Sequence, residues 1–146
     1  MTILVAVDRI DESERILAEG ATLAGRFETA IEVVHVMSRF EFVDLERTTV
    51  SDMSKAVDID EVRAAATDTA REVAEPHIDE FSATGSVGDP ASEVLRIAAE
   101  HDARYVVIGV RNRSRVGKAV FGSTAQKILL NSDRPIVAVP RAGGAE

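Results

Sequence analysis

The sequence predicts an α/β fold: a single-domain, doubly wound, five-stranded parallel sheet. Three observations lead there. Short aliphatic runs alternate with amphipathic stretches of helical period along the chain. The runs are apolar at consecutive positions, as in Ile3–Val7, which suits strands covered on both faces. A length of 146 residues with 45% apolar content suits one domain with one core.

Ile3–Val7 is the first strand. Asp8 and the polar run Arg9-Ile10-Asp11-Glu12 follow as a loop, and Ser13 is placed to cap the next helix. Ile16, Leu17, Gly20, Ala21, Leu23 and Ala24 recur at helical spacing, with Gly25 as the expected stop. Ile31–Val36 is a β-branched second strand. The crossover Asp8–Ala30 spans 23 residues, enough for a parallel connection. Residues 38–57, with Phe40 and Phe42 at their start, are too long for an ordinary connection. Segments of that kind are lids, interface pieces or disordered stretches. Ile59, Val62, Ala66, Ala70, Val73 and Ala74 mark a second helix, which Pro76 ends. Phe81–Val87 is a weak strand interrupted by Gly85. Asp89 and Pro90 start the third helix, as cap and first residue, with Val94, Leu95, Ile97 and Ala98 turned inward. Tyr105–Val110 is the fourth strand. Gly122-Ser123-Thr124 opens the last helix, with Ala125, Ile128 and Leu129 facing the core, and Ile136–Val139 is the fifth strand. The domain then covers residues 1–140, with 141–146 as a short tail.

The net charge is −8, unevenly distributed. Residues 1–103 carry −14 and residues 104–146 carry +6. An acidic body argues against a general nucleic-acid binder or an anionic-membrane binder. With no cysteine there is no disulfide and no thiolate chemistry. No aliphatic run approaches the roughly 20 residues of a membrane helix, and the N-terminal run lacks a signal peptide's basic start. The expectation is a cytoplasmic, soluble protein. Arg outnumbers Lys 14 to 3 and acids outnumber bases, which suits a high-salt cytoplasm or a GC-rich source.

In a doubly wound sheet, ligands bind beyond the strand C-termini at the switch point. The loop from Gly109 to Gly122 belongs there. It carries Arg111, Arg113, Arg115 and Lys118 with no acid between them. It lands on Gly122-Ser123-Thr124 at a helix start, where free N–H groups and hydroxyls receive anions. It is not a Walker loop, because Ser123 stands where the lysine belongs. It is not a dinucleotide fingerprint, because no glycine follows Val7 until Gly20. A solvated arginine-rich loop is the competing reading. His35 sits inside an aliphatic strand and reads as a packed histidine, whereas His77 and His101 read as surface residues.

The Val5-Ala6-Val7-Asp8 strand end, Val34-His35-Val36, Gly88-Asp89-Pro90 and the block from Ile108-Gly109 to Val139-Pro140 resemble the universal stress protein (UspA) family. The resemblance covers nearly the whole chain. Its most specific part is the nucleotide motif Gly-x2-Gly-x9-Gly-Ser/Thr, matched in length from Gly109 to Ser123, with Asn112 at the second glycine position. The resemblance implies a flavodoxin-like arrangement, close to that of adenine nucleotide α-hydrolases, with strand order 3-2-1-4-5. It implies ATP as the ligand, with Mg²⁺ on the phosphates. Ala6, Val7, Asp8 and Val36 would line the adenosine end. Ile108, Gly109, Arg111 and Asn112 would flank the ribose and phosphates. Gly122, Ser123 and Thr124 would hold the phosphates. It also implies a homodimer through Ile136–Val139, read by a further protein partner. The function expected is a stress-response nucleotide binder, at most a slow ATPase. A nucleotide-free dimeric interaction module is the alternative that Asn112 favours. An adenylating enzyme ranks below both, because its glycine-rich loop after the first strand is replaced here by acidic residues.

Overall fold

The computed structural model describes residues 1–8, 13–37, 59–110 and 122–140. The element order is β1 (Thr2–Ala6), α1 (Glu14–Phe27), β2 (Ala30–Met37), α2 (Ile59–Ala74), β3 (Ser82–Val87), α3 (Pro90–Glu100), β4 (Ala103–Val110), α4 (Ser123–Asn131) and β5 (Ile136–Pro140). All neighbouring strands pair in parallel, in the order β3-β2-β1-β4-β5. This is the doubly wound α/β arrangement that the sequence predicts. The Arg9–Glu12 run, the 38–57 segment with Phe40 and Phe42, the arginine-rich loop and the 141–146 tail lie outside the described residues.

Alternation along the strands sends side chains to two helical layers. On one face Ile3, Val5, Val33 and Val107 pack with Ile16, Leu17 and Ala24 of α1 and Ala70 and Ala74 of α2. On the other, Leu4, Val34, Val106 and Ile108 pack with Val94, Ile97 and Ala98 of α3 and Ala125 and Ile128 of α4. The central strands are therefore apolar at consecutive positions because both of their faces are covered.

Gly85 weakens β3 as a sequence signal, and packing gives the reason. A Cβ there would stand 2.2 Å from the Thr67 backbone nitrogen and 2.6 Å from the Ala66 carbonyl carbon. The backbone of α2 lies directly on β3, and the alanine face of α2 (Ala66, Ala70, Ala74) lets it approach the sheet closely.

Several local expectations are corrected. Helix α1 does not stop at Gly25. It runs to Phe27, and Glu28 takes the left-handed conformation (φ 52°) that closes it. Ser13 holds the N-cap position, but its side chain makes no capping hydrogen bond; its carbonyl accepts from Leu17 N at 2.8 Å. Leu129 is 39% exposed and faces outward, because Ala125 and Ile128 alone lie on the buried face of α4. Ile59, at the first position of α2, is exposed. In α3 the buried stripe is Ala91, Val94, Ile97 and Ala98, with Leu95 at its half-buried margin.

Candidate functional site

The order β3-β2-β1-β4-β5 reverses direction between β1 and β4, so the crevice above their C-terminal ends is the expected ligand position. A cleft of about 410 Å³ lies there. That is within the few-hundred-Å³ range of small-molecule sites. Its lining joins the end of β1 (Ala6, Val7, Asp8), β2 (Val34, Val36), β4 (Ile108, Gly109, Val110), the start of α3 and the first turns of α4. Among the sequence-derived site residues, Ala6, Val7, Asp8, Val36, Ile108, Gly109, Gly122, Ser123 and Thr124 come together on this one cleft. Arg111 and Asn112 lie outside the described residues.

Val34, Pro90, Val94, Val110, Ala125 and Ile128 also line the cleft, and sequence reasoning did not name them as site residues. All except Pro90 belong to the hydrophobic cluster between the sheet and the α3/α4 layer. Their sequence signal is that of core residues, because the floor of the cleft is the upper surface of the core. Only the predicted topology, which places the ends of β2 and β4 and the starts of α3 and α4 at this edge, points to them.

The two helices that wall the cleft end differently. At α3, Asp89 is the N-cap and its carboxylate accepts from Ser92 N at 3.0 Å. That helix start satisfies one of its own donors. At α4 the N-cap is Gly122, which makes no side-chain cap, and the first intrahelical bond is Gln126 N to Gly122 O at 3.0 Å. Among the described residues, no side chain caps the first turn of α4, and the helix dipole adds positive potential there. Among the described residues, a Cβ built on Gly122 meets nothing within 4 Å. Ser123 and Thr124 add hydroxyls beside it. Such an end can receive an anionic group.

Asp8 is the one ionisable side chain among the described lining residues. Its strand end is fixed from two sides. Val7 N donates to Val34 O at 2.9 Å, and His35 Nδ1 donates to Val7 O at 3.0 Å. His35 is 1% exposed, a packed histidine as the sequence indicates. His77 is exposed as expected. His101 differs: it is half-buried, with its Nδ1 3.9 Å from a carboxylate oxygen of the buried Glu32, which also accepts from the Thr84 hydroxyl.

Across the rim, Lys127 of α4 reaches Asp89 with Nζ 3.1 Å from Oδ2. The Asp89 carboxyl is held below its ordinary value, first by the Ser92 hydroxyl, then by the Ser92 N–H and the Lys127 ammonium. Behind it, Glu93 is held low chiefly by Arg96, with the Ser86 hydroxyl also contributing. Among the described residues, no helix is long and apolar enough to cross a membrane.

Comparison with known proteins agrees with this geometry. The family model described as "Universal stress protein family" matches residues 1–140. A universal stress protein of Mycolicibacterium smegmatis is 42% identical over 64 residues, 43% of this chain and 49% of that one, so the match spans about half of that relative's length. The solved universal stress protein of Archaeoglobus fulgidus is 28% identical with a TM-score of 0.59, covering 95% of this chain and 98% of that one. A universal stress protein from the same organism, solved in complex with dAMP, is 21% identical with a TM-score of 0.54 over 95% and 97% of the two chains, and shares the fold. The chain belongs to the universal stress protein family.

Proposed function

We propose that the cleft binds an adenine nucleotide, ATP with Mg²⁺ on its phosphates, and that the protein acts as a stress-response regulatory or protective binder. The observation that carries this reading is the start of α4: a glycine cap and two hydroxyl residues open onto a cleft at the switch point. The dAMP bound by the Archaeoglobus fulgidus relative supports the choice of an adenine nucleotide. Gly122, Ser123 and Thr124 take the phosphates. Asp8, whose carboxylate repels phosphate, suits the donor groups of the base or ribose. Ala6, Val7 and Val36 supply the apolar wall for the base, and Ile108 and Gly109 flank the sugar together with Arg111 and Asn112. The nucleotide brings the phosphates and their metal; the chain binds and orients them.

The same reading assigns a homodimer to β5, supported by its place at the sheet edge and by the exposure of Ala138 within it. Calorimetric titration of nucleotide-stripped protein with ATP and Mg²⁺ tests the ligand, and sedimentation tests the dimer. Absence of heat at millimolar ATP overturns the nucleotide reading and leaves the nucleotide-free module, which Asn112 at the second motif glycine favours.

A further inference from the structure

We propose that Asp89 and Lys127 form the specificity-determining pair of the cleft, setting how strongly the site prefers a polyphosphate over a monophosphate. The inference rests on the nucleotide-binding reading above. Asp89 directly precedes the lining residue Pro90, and Lys127 directly precedes the lining residue Ile128. Their contact, Nζ to Oδ2 at 3.1 Å, ties the start of α3 to α4 at the rim. The same Oδ2 also accepts from Ser92 N at 3.0 Å and Ser92 Oγ at 2.8 Å.

No lysine or arginine is among the described residues that line the cleft. Lys127 is four residues on from Ser123, about 6 Å along the helix. Helical side chains lean toward the helix N-terminus, so its stem leads back over the turn whose N–H groups meet the cleft. The ammonium is therefore within the field of any anion held there, while Asp89 competes for it. A ligand with more negative charge competes better with Asp89, and Asp89 itself repels that ligand. The pair thus weighs phosphate number, whereas the α4 N–H groups serve any phosphate.

The test is calorimetric titration at low salt of wild type, Asp89→Asn and Lys127→Met with adenosine, AMP, ATP and inorganic tripolyphosphate. Asparagine caps a helix as well as aspartate, and methionine keeps the apolar stem, so both variants retain the fold; circular dichroism verifies it. Asp89→Asn releases the ammonium, and ATP and tripolyphosphate tighten about three- to fivefold, with AMP shifting less than about twofold. Lys127→Met leaves the carboxylate uncompensated and weakens ATP and tripolyphosphate by a similar factor. If wild type binds ATP but the ATP-to-AMP ratio stays the same in both variants, the pair is overturned and the nucleotide reading stands. If tripolyphosphate follows the expected order and no nucleotide binds, the nucleotide reading falls and the pair stands. If nothing binds to any of the three proteins, both fall.

Discussion

His35 Nδ1 and the Val7 carbonyl oxygen stand 3.0 Å apart. A carbonyl only accepts, so Nδ1 carries the hydrogen and the tautomer is fixed by the backbone. The bond runs from the C-terminal half of β2 to the residue just beyond β1, one position before Asp8. It braces the strand end on which the proposed adenosine contacts sit.

His35→Leu fills the space but removes the donor, leaving a buried carbonyl short of a partner. The expected loss is about 1–3 kcal/mol of stability, read from urea denaturation. Nucleotide affinity should fall with it, because the placement of Asp8 depends on the same strand end. Unchanged stability in His35→Leu would show that the bond contributes nothing.

Gly85→Ala should be among the most damaging single-methyl additions in the chain. The new Cβ would meet the backbone of α2, 2.2 Å from Thr67 N and 2.6 Å from Arg63 O, and backbone atoms cannot rotate away. Overpacking typically costs about 1–3 kcal/mol, and the upper end of that range is expected where the opposing atoms are backbone. Thermal denaturation should show a lower midpoint, with α2 and β3 separating first in hydrogen exchange.

Gly122→Ala is the opposite case. Its Cβ would meet no described atom within 4 Å, so the fold should lose less than about 1 kcal/mol. ATP binding should weaken at least about tenfold, because the methyl group occupies the approach of a phosphate to the helix start. A variant with wild-type melting and wild-type affinity would remove the phosphates from this end of α4.

The rim carboxyls set an acid limit. Asp89 and Glu93 are both held below their ordinary values, by Ser92 and Arg96 respectively. A depressed folded-state pKa contributes stability in full above the unfolded value, and that contribution is lost as pH falls through the folded value. Melting temperature should be level from about pH 7 to about pH 5 and drop below about pH 4. Asp89→Asn, which cannot titrate, should flatten part of that drop.

The charge of −8 gives a salt prediction. Raising KCl from about 0.1 M to about 2 M screens repulsion among exposed acids and should raise the melting temperature. A melting temperature that stays level or falls over this range would contradict an acidic surface adapted to salt.

The strands, the helices and the doubly wound class are legible because central parallel strands are apolar throughout and the helices show a clear stripe; the strand order follows from the family resemblance. Asp89 and Pro90 marked a helix start whose capping bond to Ser92 is present in the structure. The end of α1 differs from the sequence expectation because Gly25 is a typical stop, whereas Glu28 adopts the left-handed turn despite its side chain. Hydropathy alone points Leu129 inward, but only Ala125 and Ile128 of α4 are buried. Nine of the residues expected at a site gather on one cleft, because the switch-point rule and the family resemblance point to the same sheet edge. The hydrophobic floor was hidden, because Val34, Val94 and Ile128 look the same to a sequence reader whether a ligand or another side chain lies above them. The Asp89–Lys127 contact joins residues 38 positions apart and carries no local signal at all.

The sheet also divides the labour of the molecule. Apart from Val7, every hydrophobic cluster residue that lines the cleft belongs to the α3/α4 side. The α1/α2 layer, with Ile16 and Leu17 at its centre, never meets the cleft. A bound molecule would therefore slow exchange in one layer and leave the other nearly silent. Substitution of Leu17 should therefore act on stability alone, whereas substitution of Val94 or Ile128 should also change the floor of the cleft.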